Sequence, residues 1–186
     1  MKDYFALLDE PRKPWLDVNL LKDRFAELSA RYHPDKFPQA TPEERESICE
    51  RYAEYNAAFQ CLSSTKERLL HLIELESGGS PADVRRIPPE VSALFMEVGQ
   101  TVAEAGKFLE NRPQTESPML KAKLFVENME WTDKLTALLN KIEAIRSGLE
   151  EELKQMNNEK DFQLKQHLTR LEEIYRSTSY IERWTT

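Results

Sequence analysis

Apolar residues recur along this chain at helical spacing, and the runs are punctuated by proline, glycine and capping residues. Leu21, Phe25, Leu28 and Tyr32 are separated by four, three and four positions. Ile48, Tyr52, Tyr55, Phe59 and Leu62 follow at four, three, four and three. Each set marks one face of a helix. Asp17 is a natural N-cap for the first run. Thr41-Pro42-Glu43-Glu44 opens the second, with Thr41 as cap, Pro42 at the first helical position and Glu44 closing a capping box. Pro34, Pro38 and Pro42 break the stretch between them into a loop. The pattern predicts two antiparallel helices packed stripe to stripe. A short apolar segment, Asp3 to Leu8, precedes them and stops at Pro11 and Pro14. A fourth helix starts at the capping residues Ser64 to Glu67, carries Leu69, Leu70, Leu72, Ile73 and Leu75, and stops at Gly78-Gly79.

The second half predicts three longer helices. Residues 78 to 88 read as a connector rich in glycine and proline. Pro88-Pro89-Glu90 opens a helix bearing Val91, Leu94, Phe95, Val98, Val102, Phe108 and Leu109. Gly99 and Gly106 lie seven apart on it, so either a neighbouring helix comes close or the segment is weak. Ser117-Pro118 opens the strongest periodic run: Leu124, Trp131, Leu135, Leu138, Ile142, Ile145, Leu149, Leu153 and Met156. Asn157-Asn158 ends it, and a last helix carries Leu164, Leu168, Leu171, Ile174, Tyr175, Ile181 and Trp184. Three amphipathic helices with short loops predict an antiparallel three-helix bundle. The fold class is all-α, divided as 1–77, a linker at 78–88, and 89–186.

The chemistry sits in the first loop, at Tyr32-His33-Pro34-Asp35-Lys36-Phe37. Bracketed by these helices, it resembles the signature of J-domain co-chaperones, which stimulate the ATPase of a DnaK- or HscA-type chaperone. A J-domain followed by a three-helix acidic bundle is similar to the HscB family, which delivers an iron–sulfur scaffold protein to a dedicated chaperone. The resemblance implies that His33, Pro34 and Asp35 dock on the ATPase, with Lys36, Lys22, Arg24 and Arg31 steering the approach. It also implies a scaffold-binding helix reading roughly Phe-Leu-Met-Glu-x-Met-Glu-Trp. Two segments match. Leu94-Phe95-Met96-Glu97 lies at the expected distance from the J-domain but loses the second half of the pattern. Leu124 to Trp131 carries the whole pattern but follows an extra helix. The candidate client residues are Phe125, Val126, Met129, Glu130 and Asp133, with Tyr180 from the closing segment. Phe125 and Met129 are expected to face solvent, and Trp131 and Leu135 the core.

Charge and composition narrow the class. The net charge of −7 argues against nucleic acid as the main partner. Residues 11–36 hold six basic and four acidic side chains, whereas residues 37–77 hold four and eight. The helix entering the loop is therefore the basic part of an acidic domain. Asp3 and Asp9-Glu10 interrupt the only early apolar stretch, so no signal peptide is expected, and no run is long enough to span a bilayer. The expected location is cytoplasmic. Cys49 and Cys61 lie twelve positions apart on one predicted helix, about 18 Å at the helical rise, too far for a disulfide or a shared metal. His33, His71 and His167 show no ligand spacing, and no metal or cofactor is expected. No phosphate loop and no nucleophile–base pair is present, which points away from an enzyme. The competing reading is a J-like adaptor that positions a different client.

Overall fold

The computed structural model describes residues 1–79, 81, 87–111, 113, 117–159 and 163–185. These residues form seven α-helices: α1 (Tyr4–Leu7), α2 (Val18–Tyr32), α3 (Pro42–Ser63), α4 (Thr65–Ser77), α5 (Pro89–Glu110), α6 (Pro118–Asn158) and α7 (Leu164–Thr185). A single 3-10 turn, Pro34–Lys36, follows α2. The helix ends lie where the local chemistry puts them. The Asp17 carboxylate accepts from the N–H groups of Asn19 and Leu20. Thr41 and Glu44 form the reciprocal capping box, at 3.3 Å and 2.9 Å. Ser64 caps α4 through Glu67 N–H. Gly78 closes α4 at φ 75°, a left-handed conformation that glycine adopts without steric cost.

The chain divides into two compact units, Met1–Val84 with Glu152–Tyr175, and Arg85–Glu151 with Arg176–Thr186. The first holds the helical hairpin expected over residues 1–77 and also takes in the end of α6 and the start of α7. Five contacts explain why those segments pack there. Asn157 Nδ2 donates to the Trp15 carbonyl at 2.6 Å while Trp15 N–H donates back to Asn157 Oδ1 at 3.3 Å. The Lys154 ammonium sits 5.4 Å above the Trp15 ring. Leu164 packs on the hairpin core, and Lys165 faces Glu76. The connector expected at 78–88 falls partly outside the described residues.

The core of the first unit is built by the predicted stripes. Phe5, Leu8, Leu16, Leu21, Tyr55, Ala58, Leu62 and Leu72 are buried together, with Phe25, Leu28, Tyr32 and Phe59 packed against them. Phe25 and Phe59 stack across α2 and α3 at 4.4 Å. Two polar residues lock the frame. Arg68 on α4 is almost wholly buried. Its guanidinium donates to the carbonyls of Pro14 (3.0 Å) and Leu62 (2.6 Å) and to the Thr65 hydroxyl (3.2 Å). His71, one turn further on, accepts Tyr4 N–H on Nε2 at 3.1 Å and stacks 5.8 Å from Phe5. Asp3 caps the N–H groups of Phe5 and Ala6, so His71 takes a donor of α1 that Asp3 leaves over.

In the second unit α5 and α6 run antiparallel. Lys141 bonds Glu97 at 2.6 Å and Trp131 meets Phe108 at 5.8 Å between ring centroids. On α7, Tyr180 and Trp184 reach Phe95 of α5 at 5.9 Å and 6.3 Å. Leu138, Ile142 and Leu149 are buried as the α6 stripe predicts. Leu135 is not: it is 39% exposed, and Trp131 is only half-buried. Trp131 packs on Phe108 of α5 and lies under the Lys134 ammonium at 4.7 Å, so a neighbouring helix covers one side of its ring and a surface cation the other. Trp131→Ala is thus a partial truncation rather than the loss of a fully buried side chain.

Two predictions follow from the locked frame. Arg68→Met strands buried carbonyls and should lower unfolding free energy by about 3 kcal/mol, with Arg68→Lys only partly restoring it, since an ammonium cannot span three acceptors. Urea unfolding followed by circular dichroism measures both. Burial holds the His71 imidazole below its ordinary value, with Asp3 and Glu74 acting in the opposite direction. The unfolded chain therefore takes up a proton first as pH falls. The contribution of His71 is intact above about pH 6.5 and is lost as pH falls through the depressed folded value. Between pH 7.5 and 5.5 the wild-type urea midpoint should drop more than that of His71→Gln, whose amide accepts the same N–H without titrating there.

Candidate functional site

The loop between α2 and α3 is built from backbone restraints. Pro34 confines His33 to extended backbone, and His33 has ψ 131°, so α2 ends at Tyr32. Pro34 then starts the 3-10 turn, closed by Lys36 N–H to the His33 carbonyl and Phe37 N–H to the Pro34 carbonyl, both 3.0 Å. Asp35 N–H donates to His33 Nδ1 at 3.3 Å. With Nδ1 accepting, the neutral ring carries its proton on Nε2, which is left to donate outward. The ring stands edge-on to Tyr52 of α3 at 5.1 Å. Tyr32, one residue earlier, lies 5.4 Å from Tyr55, with the guanidinium groups of Arg31 and Arg51 at 5.4 Å and 5.6 Å from its ring.

This arrangement fixes the backbone and frees one charge. The Asp35 side chain is 89% exposed, with its Oδ2 3.6 Å from His33 Nδ1. Lys36 and Phe37 are exposed beside it. The loop therefore presents a carboxylate, an imidazole N–H and a cation on a braced turn, suited to hydrogen-bonded docking on another protein.

The other predicted basic residues do not form one cluster. Arg24 is drawn to Asp9 (2.5 Å) and Glu27 (3.5 Å). Arg24 and Arg31 are seven positions apart and share a flank of α2. Lys22 is nine positions from Arg31, about half a turn around the helix, on the opposite flank. Arg31 and Lys36 are the members next to the loop.

The candidate client residues separate into two patches. Tyr180 belongs with Phe95 and Trp184, and Arg183 covers its ring at 4.9 Å. Phe95 is 40% and Met96 73% exposed there. Phe125, Val126 and Met129 are exposed on α6, with Glu130 and Asp133 also open. Lys141, level with the first patch, is sixteen positions from Phe125, about 24 Å along one continuous helix. Tyr180 and Phe125 do not meet.

Sequence reasoning missed Arg68 and His71. Their signal was present: Arg68, Leu72 and Leu75 follow at four and three, so a charged residue occupies an apolar stripe. Burial lifts the Cys61 thiol to about 11, and it donates to the Glu67 carbonyl. Among the described residues no cluster of His, Cys, Asp or Glu could hold a metal, and no helix is long and apolar enough to cross a membrane.

Known proteins share part of the sequence and nearly all of the fold. The chain is 36% identical over 74 residues to a co-chaperone protein HscB homolog of Shewanella pealeana, and 35% over 74 residues to that of Shewanella halifaxensis. Each match covers 40% of this chain and 42% of the relative. The backbone superposes on human co-chaperone HscB with a TM-score of 0.69, at 18% identity, covering 98% of this chain and 78% of the other. This chain resembles the HscB co-chaperones. The Vibrio cholerae chaperone HscB gives a TM-score of 0.65 at 21% identity, covering 98% and 92%. The sequence match thus spans less than half of the curated relatives, while the fold match runs through the whole chain. It is the HscB-like arrangement, a helical J-domain and a C-terminal helical bundle. No family model matches the chain.

Proposed function

We propose that this protein is a J-domain co-chaperone whose His33-Pro34-Asp35 turn docks on a DnaK/HscA-type chaperone ATPase and favours its hydrolysis-competent state. The observation that carries this reading is the combination of a pinned backbone and a free Asp35 carboxylate at the end of the hairpin. A group already held in its binding geometry loses little freedom on docking. Stimulation requires that the turn bind the hydrolysing conformation more tightly than the resting one. Asp35 accepts hydrogen bonds or meets a cation, His33 Nε2 donates, and Arg31 with Lys36 favours an acidic surface. The resemblance to HscB supports an iron–sulfur scaffold protein as the client.

Of the two client patches, Phe95, Met96, Tyr180 and Trp184 fit that role best. Three aromatic rings from two helices form an apolar surface, and Met96 adds an adaptable contact beside them.

Asp35→Asn and His33→Gln should each reduce stimulation of a DnaK/HscA-type ATPase at least tenfold, with unfolding free energy within about 0.5 kcal/mol of wild type. Undiminished stimulation by either variant removes the basis of this proposal. For the client, Phe95→Ala should weaken scaffold binding about tenfold, or about 1.4 kcal/mol, in titration calorimetry. Phe125→Ala should leave it unchanged. The reverse result places the client on α6.

A further inference from the structure

Two arginines from different helices converge on one ring beside the His33 turn. The Arg31 guanidinium of α2 lies 5.4 Å from the centre of the Tyr32 ring, and that of Arg51 on α3 lies 5.6 Å from it. The two cations are therefore no further apart than the sum of those distances. Both residues are exposed. Like charges this close repel, and an anion between them would relieve the repulsion. The carboxylates one turn away are engaged elsewhere. Glu27, before Arg31, faces Arg24 at 3.5 Å. Asp35, after Arg31, lies 3.6 Å from His33. Glu54, after Arg51, bonds Lys2. Among the described residues neither Arg31 nor Arg51 forms an ion pair. A guanidinium over an aromatic ring keeps its in-plane N–H donors open to an acceptor.

Arg51 also adjoins the candidate site. Tyr52, the next residue, stands edge-on to the His33 ring at 5.1 Å, so the turn of α3 that braces His33 is the one that carries Arg51. On the basis of the docking proposed for the His33-Pro34-Asp35 turn, we infer that Arg51 is a further docking residue, and that Arg31 and Arg51 together receive a carboxylate side chain of the chaperone ATPase. This adds a second helix to the contact, and from a stretch, residues 37–77, in which acidic side chains outnumber basic ones eight to four. The chemistry selects the ligand. Two planar forks of N–H donors, neither holding a carboxylate of its own chain, match carboxylate oxygens that accept from both at once. The Tyr32 ring holds both forks near one place, so less side-chain freedom is lost when the acceptor arrives. Arg45, also exposed on α3, stands about 120° around the helix from Arg51 and about 9 Å along it, which makes it a like-charged control.

Steady-state ATPase stimulation of a DnaK/HscA-type chaperone, titrated with the full chain, provides the test. At about 50 mM salt, Arg51→Gln should raise the concentration for half-maximal stimulation about fivefold, with the maximal rate retained because the Asp35 turn is intact. Helicity should stay at the wild-type level, since Arg51 is exposed. Arg51→Glu should raise that concentration further, because it adds repulsion, whereas a lost brace on Tyr32 would weigh equally in both variants. The gap from wild type should narrow as salt rises to about 500 mM. Arg45→Gln should titrate like wild type. If Asp35→Asn removes stimulation but Arg51→Gln titrates like wild type, the docking turn stands and Arg51 has no part in it. If the Gln and Glu variants are weakened equally and salt leaves the gap unchanged, Arg51 only braces Tyr32 and the docking role fails. Equal weakening by Arg45→Gln reduces the effect to net charge and also overturns the inference. If Asp35→Asn stimulates like wild type, the docking reading itself falls, and the role of Arg51 with it.

Discussion

The guanidinium of Arg68 is the contact on which the first unit depends. It joins three pieces of chain that the hydrophobic stripes alone do not fix: the connector at Pro14, the end of α3 at Leu62 and the first turn of α4 at Thr65. A buried charge costs several kcal/mol to desolvate unless hydrogen bonds replace its water. The planar fork of arginine meets that demand by reaching separate acceptors at once. With Pro14 tied down, Trp15 can exchange its paired hydrogen bonds with Asn157, and Leu16 enters the core. α2 then starts at a defined place, Asp17, and its stripe meets that of α3 in one register. His71 adds the last tie, holding α1 across the same frame.

The consequence for function is a turn with little freedom left to lose. The His33 ring is braced by Tyr52 and by its own loop, and the backbone from Tyr32 to Phe37 is closed by hydrogen bonds. The Asp35 side chain projects into solvent, 89% exposed. In the proposed docking, binding energy from that carboxylate goes to distinguishing one state of the partner from another instead of ordering a mobile loop. The proposed role needs no pocket, because it works by altering the equilibrium of the protein that the turn touches.

What could be read in the sequence was local. The stripes of α2 and α3, the Asp17 and Thr41–Glu44 caps and the Gly78 stop all depend on residues within one or two turns, and each stands where the spacing puts it. The turn at His33-Pro34-Asp35 is of the same kind. Arg68 escaped notice because its acceptor at Pro14 lies 54 positions away. Tyr180 could not be assigned to Phe95 for the same reason: nothing in either segment reports the register of α5 against α7. The α6 stripe misled in the other direction. Its period continues through Leu135 and Trp131, but burial requires a neighbouring surface on that face, and Leu135 is 39% exposed. Periodicity states which face a helix offers, not how far its neighbours extend.

The central claim, that the braced turn is the docking element for a chaperone ATPase, can be tested by mapping rather than by activity. Isotope-labelled full chain, titrated with the nucleotide-binding domain of a DnaK/HscA-type chaperone, reports contact through amide chemical shifts. The account predicts the largest changes from Arg31 to Phe37, with smaller ones on the adjoining turn of α2, and no change on α5 and α7. Shifts confined to the α5–α7 aromatic patch, or no shifts at saturating ATPase, would contradict it.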